Sequence, residues 1–174
     1  VKCTYGTGAF LQVCTGHAPA PLGEADDGLL RSIAWELAGR RTYLLEGSVL
    51  AAADVLTWLE AGLGVLERAT DVDAILARTP SSRGVAFAPL VTGLGAPRWV
   101  ADARGVVLGL HRGTTRDHLV RAALEGIAHQ VADVIDAAAR AAGGHLAPLR
   151  VDGGLAASRR FLELQADQIG RAHV

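Results

Sequence analysis

Two glycine-rich turns carry the clearest chemical signal in the sequence. Tyr5-Gly6-Thr7-Gly8 interrupts a run of β-branched and aromatic residues, where glycine weakens a strand and marks a bulge or a close backbone approach. Asp152-Gly153-Gly154 follows the short apolar run Leu149–Val151 and precedes a helical pattern, so its backbone N–H groups and the helix N-terminus could face an anion. Both patterns suit phosphate contact. A lone glycine pair between strand and helix is more often just a tight turn, and the spacing and lysine of a Walker A loop are absent.

The other chemistry-bearing residues are sparse. The six His (17, 111, 118, 129, 145 and 173) form no HxxxH or His/Cys cluster, so no metal site is expected. Cys3 and Cys14 lack CxxC spacing and read as reduced core residues of a cytoplasmic protein. Asp152 reads as a turn residue and Trp99 as a loop anchor beside Arg98. Asp133 and Asp136 belong to the solvated side of a long helix, and His111 and His118 to structural positions at its start.

The elements that must position these groups follow from periodicity. Thr4–Thr15 reads as strand, and Leu29–Leu37 and Thr42–Val49 as two alternating runs joined by a hairpin, together a three-strand meander. Val49–Leu63 switches to helical spacing, with Val49, Ala52, Ala53, Leu56, Leu59 and Leu63 on one face. A short helix is expected at Asp71–Ala77, strands at Gly84–Val91 and Gly105–Leu110, and a loop at Thr92–Arg104. The longest helix spans Thr115–Ala142, its stripe made by Leu119, Ala123, Leu124, Ile127, Val131, Val134, Ile135 and Ala138, with Gly143-Gly144 as the stop. Leu149–Val151 is a strand, and Ala156 to Ile169 a final helix with Phe161, Leu164 and Ile169 inward. The class is mixed α/β, one sheet with helices on its faces.

Composition narrows the function classes. With 174 residues the chain fits one domain, enough to bury roughly 70% of its unfolded surface. Seventeen basic and 18 acidic residues leave a net charge of −1, which carries no nucleic-acid footprint. No apolar run reaches membrane-spanning length. The chain begins at Val1 and contains no Met, so it is expected to be part of a longer protein.

Residues 1 to about 167 resemble the C-terminal, nucleotide-binding half of the FGGY carbohydrate kinases. The likeness is carried in order by Lys2–Phe10, by Leu45-Glu46-Gly47 with Trp58-Leu59, by Thr92–Trp99 with Ala103-Arg104-Gly105, and by Arg150–Gly154. Gly105 through Gly109-Leu110, His118-Leu119 and Ala122–Glu125 also fit the family's second signature. The loop Gly93-Leu94-Gly95-Ala96-Pro97-Arg98-Trp99 resembles the branch that acts on glycerol.

The resemblance implies an α/β domain of ribonuclease-H-like (actin/hexokinase/Hsp70) fold over residues 1–174, incomplete at its C-terminal end. It implies transfer of a phosphoryl group from ATP, with Mg²⁺, to a hydroxyl of glycerol or a similar small polyol, giving glycerol 3-phosphate. Gly6 and Thr7 are expected along the phosphates and Gly154 beside the adenosine. Ser158 stands where relatives place an Asn near adenine, and Phe10 matches an aromatic that packs on the polyol carbons. Ala53 and Thr57 occupy nucleotide-facing positions that usually hold Gly and Gln.

The family's catalytic Asp lies in a Gly-Asp-Gln segment upstream of Val1, so no catalytic residue is expected in this chain, which should be inactive alone. The expected partner is the N-terminal domain of the same protein, within a cytoplasmic homo-oligomer. Two other readings stay open: a kinase of another small polyol or sugar, and a non-catalytic nucleotide-binding module. Residues 169–174, Ile-Gly-Arg-Ala-His-Val, depart from the family's continuation and match one frame of a common sequencing adapter, so they are expected to be foreign to the natural protein.

Overall fold

A computed structural model of the chain describes residues 1–21, 27–144 and 146–170. The strand pattern at the N-terminus resolves into a hairpin. β1 (Lys2–Tyr5) and β2 (Ala9–Gly16) pair antiparallel, Tyr5 opposite Ala9, with Gly6-Thr7-Gly8 as the turn. Alternate residues Cys3, Tyr5, Ala9, Leu11 and Val13 are buried, while Phe10 points to the other face and is 40% exposed; Cys14 shares that face and is exposed, so of the two cysteines only Cys3 is a core residue.

A second hairpin joins β3 (Leu30–Leu37) to β4 (Arg40–Val49) through Ala38 and Gly39, both at positive φ. The expected three-strand meander does not form. β4 pairs with β2, and β3 lies outside β4 at the sheet edge, giving the order β3-β4-β2-β1-β7 once β7 (Arg150–Asp152) pairs parallel to β1. Packing, not composition, separates the two strands. β4 buries Thr42, Leu45, Ser48 and Val49, and a Cβ on its Gly47 would stand 2.3 Å from Val134, so it takes the interior place against α3. β3 buries no residue fully and leaves Leu30, Ile33, Trp35 and Leu37 exposed at the sheet edge.

The helices explain why one face of this sheet is covered. α1 (Ala53–Ala61) starts later than its spacing suggests, because Val49 ends β4 and the next residues bend around the Gly6-Thr7-Gly8 turn. Its inward face is Val55, Leu56 and Leu59, and Leu63 is 54% exposed rather than inward. α2 (Val72–Arg78) follows a short 3-10 turn at Ala69–Asp71. α3 (Arg116–Ala141) buries the whole expected stripe except Leu119, which is partly buried, and packs on β2 and β4. β5 (Ala86–Ala88) and β6 (Val106–Leu108) form a separate two-stranded sheet, so the single sheet expected is two. The long apolar run Gly84–Val91 shortens to three paired residues, bounded by Gly84 at positive φ and by Pro89, which has no N–H to donate; its backbone is packed on α3, where a Cβ on Gly126 would lie 2.1 Å from the Phe87 carbonyl.

The last helix is set by a cap. Gly154–Ala157 is a 3-10 turn, and α4 (Arg159–Gln168) begins after Ser158, with Phe161 and Leu164 inward and Ile169 partly buried. The Ser158 Oγ accepts from the Phe161 N–H at 3.1 Å and donates to Asp73 Oδ1 on α2 at 2.5 Å. The same carboxylate oxygen accepts from the Arg160 N–H at 3.1 Å. A carboxylate of α2 therefore completes the N-terminal cap of α4. Asp73→Ala is expected to lower stability by about 1–2 kcal/mol, read as a shift in urea midpoint, because it orphans the Ser158 hydroxyl and the Arg160 N–H.

Residues 171–174, most of the 169–174 tail, lie outside the described residues, as do His145 and part of the Gly16–Asp27 loop. Among the described residues no helix is long and apolar enough to cross a membrane.

Candidate functional site

The parallel pairing of β1 with β7 brings the two glycine turns together. Thr4 lies opposite Asp152, so Tyr5-Gly6-Thr7 and Gly153-Gly154 leave adjacent strands at their carboxyl ends. A crevice outside the carboxyl ends of parallel strands is where α/β sheets bind ligands.

Each turn is packed on one side and open on the other. Gly8 is buried, and a Cβ there would lie 2.5 Å from the Val49 carbonyl and 3.2 Å from that of Leu50. Gly6 has only the Gly8 carbonyl near its missing Cβ, at 3.9 Å, and Thr7 is exposed. Gly153, at φ 92°, would drive a Cβ to 2.3 Å from the Tyr5 carbonyl oxygen, whereas one on Gly154 would meet nothing within 4 Å. The inner glycines of the two turns hold the backbone in place, and the outer ones leave room for a ligand.

The start of α1 is docked onto the first turn. Ala52 N–H donates to the Thr7 carbonyl at 2.7 Å, Ala53 N–H to that of Gly6 at 3.0 Å, and Asp54 N–H to that of Thr7 at 3.2 Å. Ala53 is thus beside Gly6 and Thr7, and Thr57, one helical turn on, is exposed, with its hydroxyl 3.4 Å from the Ala53 carbonyl. These N–H groups are directed at the protein's own carbonyls. The α4 N-terminus is likewise taken, by Ser158 and Asp73, so neither helix presents the free N-terminus that the strand–Gly–Gly–helix pattern suggests.

The remaining expected residues have these surroundings. The ring of Phe10 adjoins the first turn, its Cε2 3.4 Å from where a Gly8 Cβ would be. Ser158 is half-buried and engaged in its cap. Asp152 pairs with Lys2 at 3.0 Å, and its hydrogen bond with Thr4, then that with Lys2, holds its carboxyl below the usual carboxylate range. Trp99 donates its indole N–H to the Gly28 carbonyl at 2.6 Å and anchors the Thr92–Arg104 loop, as expected. Arg98 ties that loop to Asp133 on α3 at 2.6 Å. His118 caps α3 by accepting from the Thr115 N–H at 3.0 Å, and His111 accepts from Gly113 N–H at 3.0 Å; both serve local structure.

Sequence reasoning missed the support beneath the turns. Tyr5 and Gln165 form a buried hydrogen bond of 3.0 Å, and burial pushes the neighbouring Cys3 thiol up to about 12, so it stays protonated. The available signal was a Gln four residues after Phe161, which places an amide on the apolar stripe of α4. Asp73 left no signal, since its partner helix is distant in sequence.

The family model for the FGGY family of carbohydrate kinases, C-terminal domain, matches residues 1–174. Glycerol kinase from Thermus brockianus is 50% identical over 169 residues, covering 97% of this chain and 33% of that protein. Glycerol kinase from Aromatoleum aromaticum is 48% identical over 169 residues, covering 97% and 34%. Among solved structures, Plasmodium falciparum glycerol kinase with ADP superimposes with a TM-score of 0.86 at 34% identity, over 98% of this chain and 33% of that one. A xyloylose kinase from Brucella ovis gives 0.82 at 26% identity, over 98% and 34%. The chain spans about a third of the length of these relatives.

Proposed function

The chain belongs to the FGGY family of carbohydrate kinases, and we propose that it is the nucleotide-binding half of an enzyme that phosphorylates glycerol with ATP. The observation that carries this reading is the pairing of two glycine turns across β1 and β7, each with an inner glycine packed against protein and an outer one open to a ligand.

Phosphoryl transfer asks the protein chiefly to position and to compensate charge. Thr7 offers a hydroxyl and a backbone N–H to the phosphates, and the missing side chain of Gly6 lets them approach. Gly154 leaves a flat surface for the nucleoside. Ala53 and Thr57 flank the phosphate turn from α1, where, by the family resemblance, a methyl and a short hydroxyl would stand in place of Gly and Gln and reshape the pocket. Phe10, exposed beside the turn, gives the polyol carbons an apolar surface.

Mg²⁺ would enter as a companion of the nucleotide, keeping several waters and held by the phosphates plus one or two carboxylates. The ion would spread the charge of the transferring phosphoryl group. The base for the attacking hydroxyl is assigned, by family resemblance, to an Asp upstream of Val1.

Glycerol is favoured over a sugar because the relatives at 48–50% identity are glycerol kinases, whereas the xyloylose kinase stands at 26%. The test is ADP release by the longest open reading frame that contains this chain, supplied with MgATP and either glycerol or xylulose. Glycerol-dependent release is expected. Release with xylulose alone would assign the other substrate class, and nucleotide binding without turnover on either would leave a non-catalytic module.

A further inference from the structure

Tyr5 is fully buried at the end of β1 and joins three elements. Its hydroxyl donates to Gln165 Oε1 on α4 at 3.0 Å, and Gln165 Nε2 donates to the Ala128 carbonyl on α3 at 3.2 Å. Gln165 is 2% exposed, and the Tyr5 ring meets Phe161 edge-on with centroids 5.2 Å apart. An apolar pair would fill the same space with no polar group to satisfy. A satisfied polar bridge adds direction, fixing distance and angle where apolar contacts tolerate sliding.

Tyr5 is also the point at which the two glycine turns meet. Gly6 follows it directly, and Gly153 is pressed on its backbone, a Cβ there standing 2.3, 2.6 and 2.8 Å from the Tyr5 carbonyl oxygen, carbonyl carbon and nitrogen. On the ligand side Gly6 and Gly154 are open. A shift of Tyr5 therefore moves both turns.

We infer that the Tyr5–Gln165–Ala128 bridge is a positioning device that sets the gap between the Gly6-Thr7 and Gly153-Gly154 turns, and through it the affinity for nucleotide. This rests on the nucleotide reading of the two turns. Tyr5 and Gln165 act through backbone they support and touch no substrate.

The experiment compares the longest reading frame containing this chain with its Tyr5→Phe and Tyr5→Phe/Gln165→Met variants, reading melting temperature, ADP affinity and KM for ATP. Tyr5→Phe removes the hydroxyl and leaves the buried Gln165 oxygen without its donor, so ADP binding and KM for ATP should worsen roughly tenfold, with kcat changed far less. In the double variant no polar atom of the pair remains, so the melting temperature should recover toward the parent while nucleotide affinity stays weak. Affinity that returns together with stability would make the bridge merely structural and overturn the inference. So would a Tyr5→Phe protein that binds as the parent does. A parent that binds neither ATP nor ADP would instead overturn the nucleotide reading, and the bridge's role with it.

Discussion

Gly154→Val is expected to weaken ATP binding roughly tenfold to hundredfold while leaving the fold nearly unchanged. The prediction separates a ligand surface from a packing surface. A Cβ at position 154 meets nothing within 4 Å, and the residue is exposed at a φ that other residues adopt. Surface substitutions of this kind stay within about 0.5 kcal/mol of the parent stability. If adenosine lies against this backbone, a branched side chain enters space that the ligand requires, and overpacking of that kind costs about 1–3 kcal/mol, or roughly tenfold to hundredfold in affinity. Calorimetric titration with ADP beside a urea melt checks both halves. Unchanged affinity would remove Gly154 from the site.

Its neighbour should behave in the opposite way. Gly153→Ala is expected to destabilise the chain by about 3 kcal/mol, because its backbone (φ 92°, ψ 172°) lies in a region open essentially to glycine alone, which costs other residues about 1–3 kcal/mol, and the added atom collides with Tyr5. The Tyr5 backbone cannot yield easily, since it is hydrogen-bonded within the sheet and its side chain is pinned to Gln165. That loss is a large part of the roughly 5–15 kcal/mol of a typical domain. The reading is a lowered urea midpoint at unaltered slope. A midpoint equal to that of the parent would mean that Gly153 is not locked on Tyr5.

The contrast between two adjacent glycines shows what a sequence discloses. That glycines stood at strand ends was legible, because strands, helix and stop signals on either side follow from periodicity. Which glycine is packed and which is open was not, since that depends on β7 lying parallel to β1, a contact between the two ends of the chain. The helical stripe of α3 was readable for the converse reason: every residue needed to see it lies within one segment. Strand order failed where local pattern is silent. The alternation of β3 and β4 identifies both strands and leaves open which of them pairs with β2, a choice made by burial of β4 against α3. The Tyr5–Gln165 bond, between residues 160 positions apart, was half legible as an amide in an apolar stripe and became interpretable only with its partner.

Nucleotide binding where β1 and β7 end can be read by amide hydrogen exchange on the longest reading frame containing this chain, with and without MgADP. Slowed exchange is expected at Gly6–Gly8 and Gly153–Leu155. Slowing confined to other segments, with those amides exchanging as before, would contradict it.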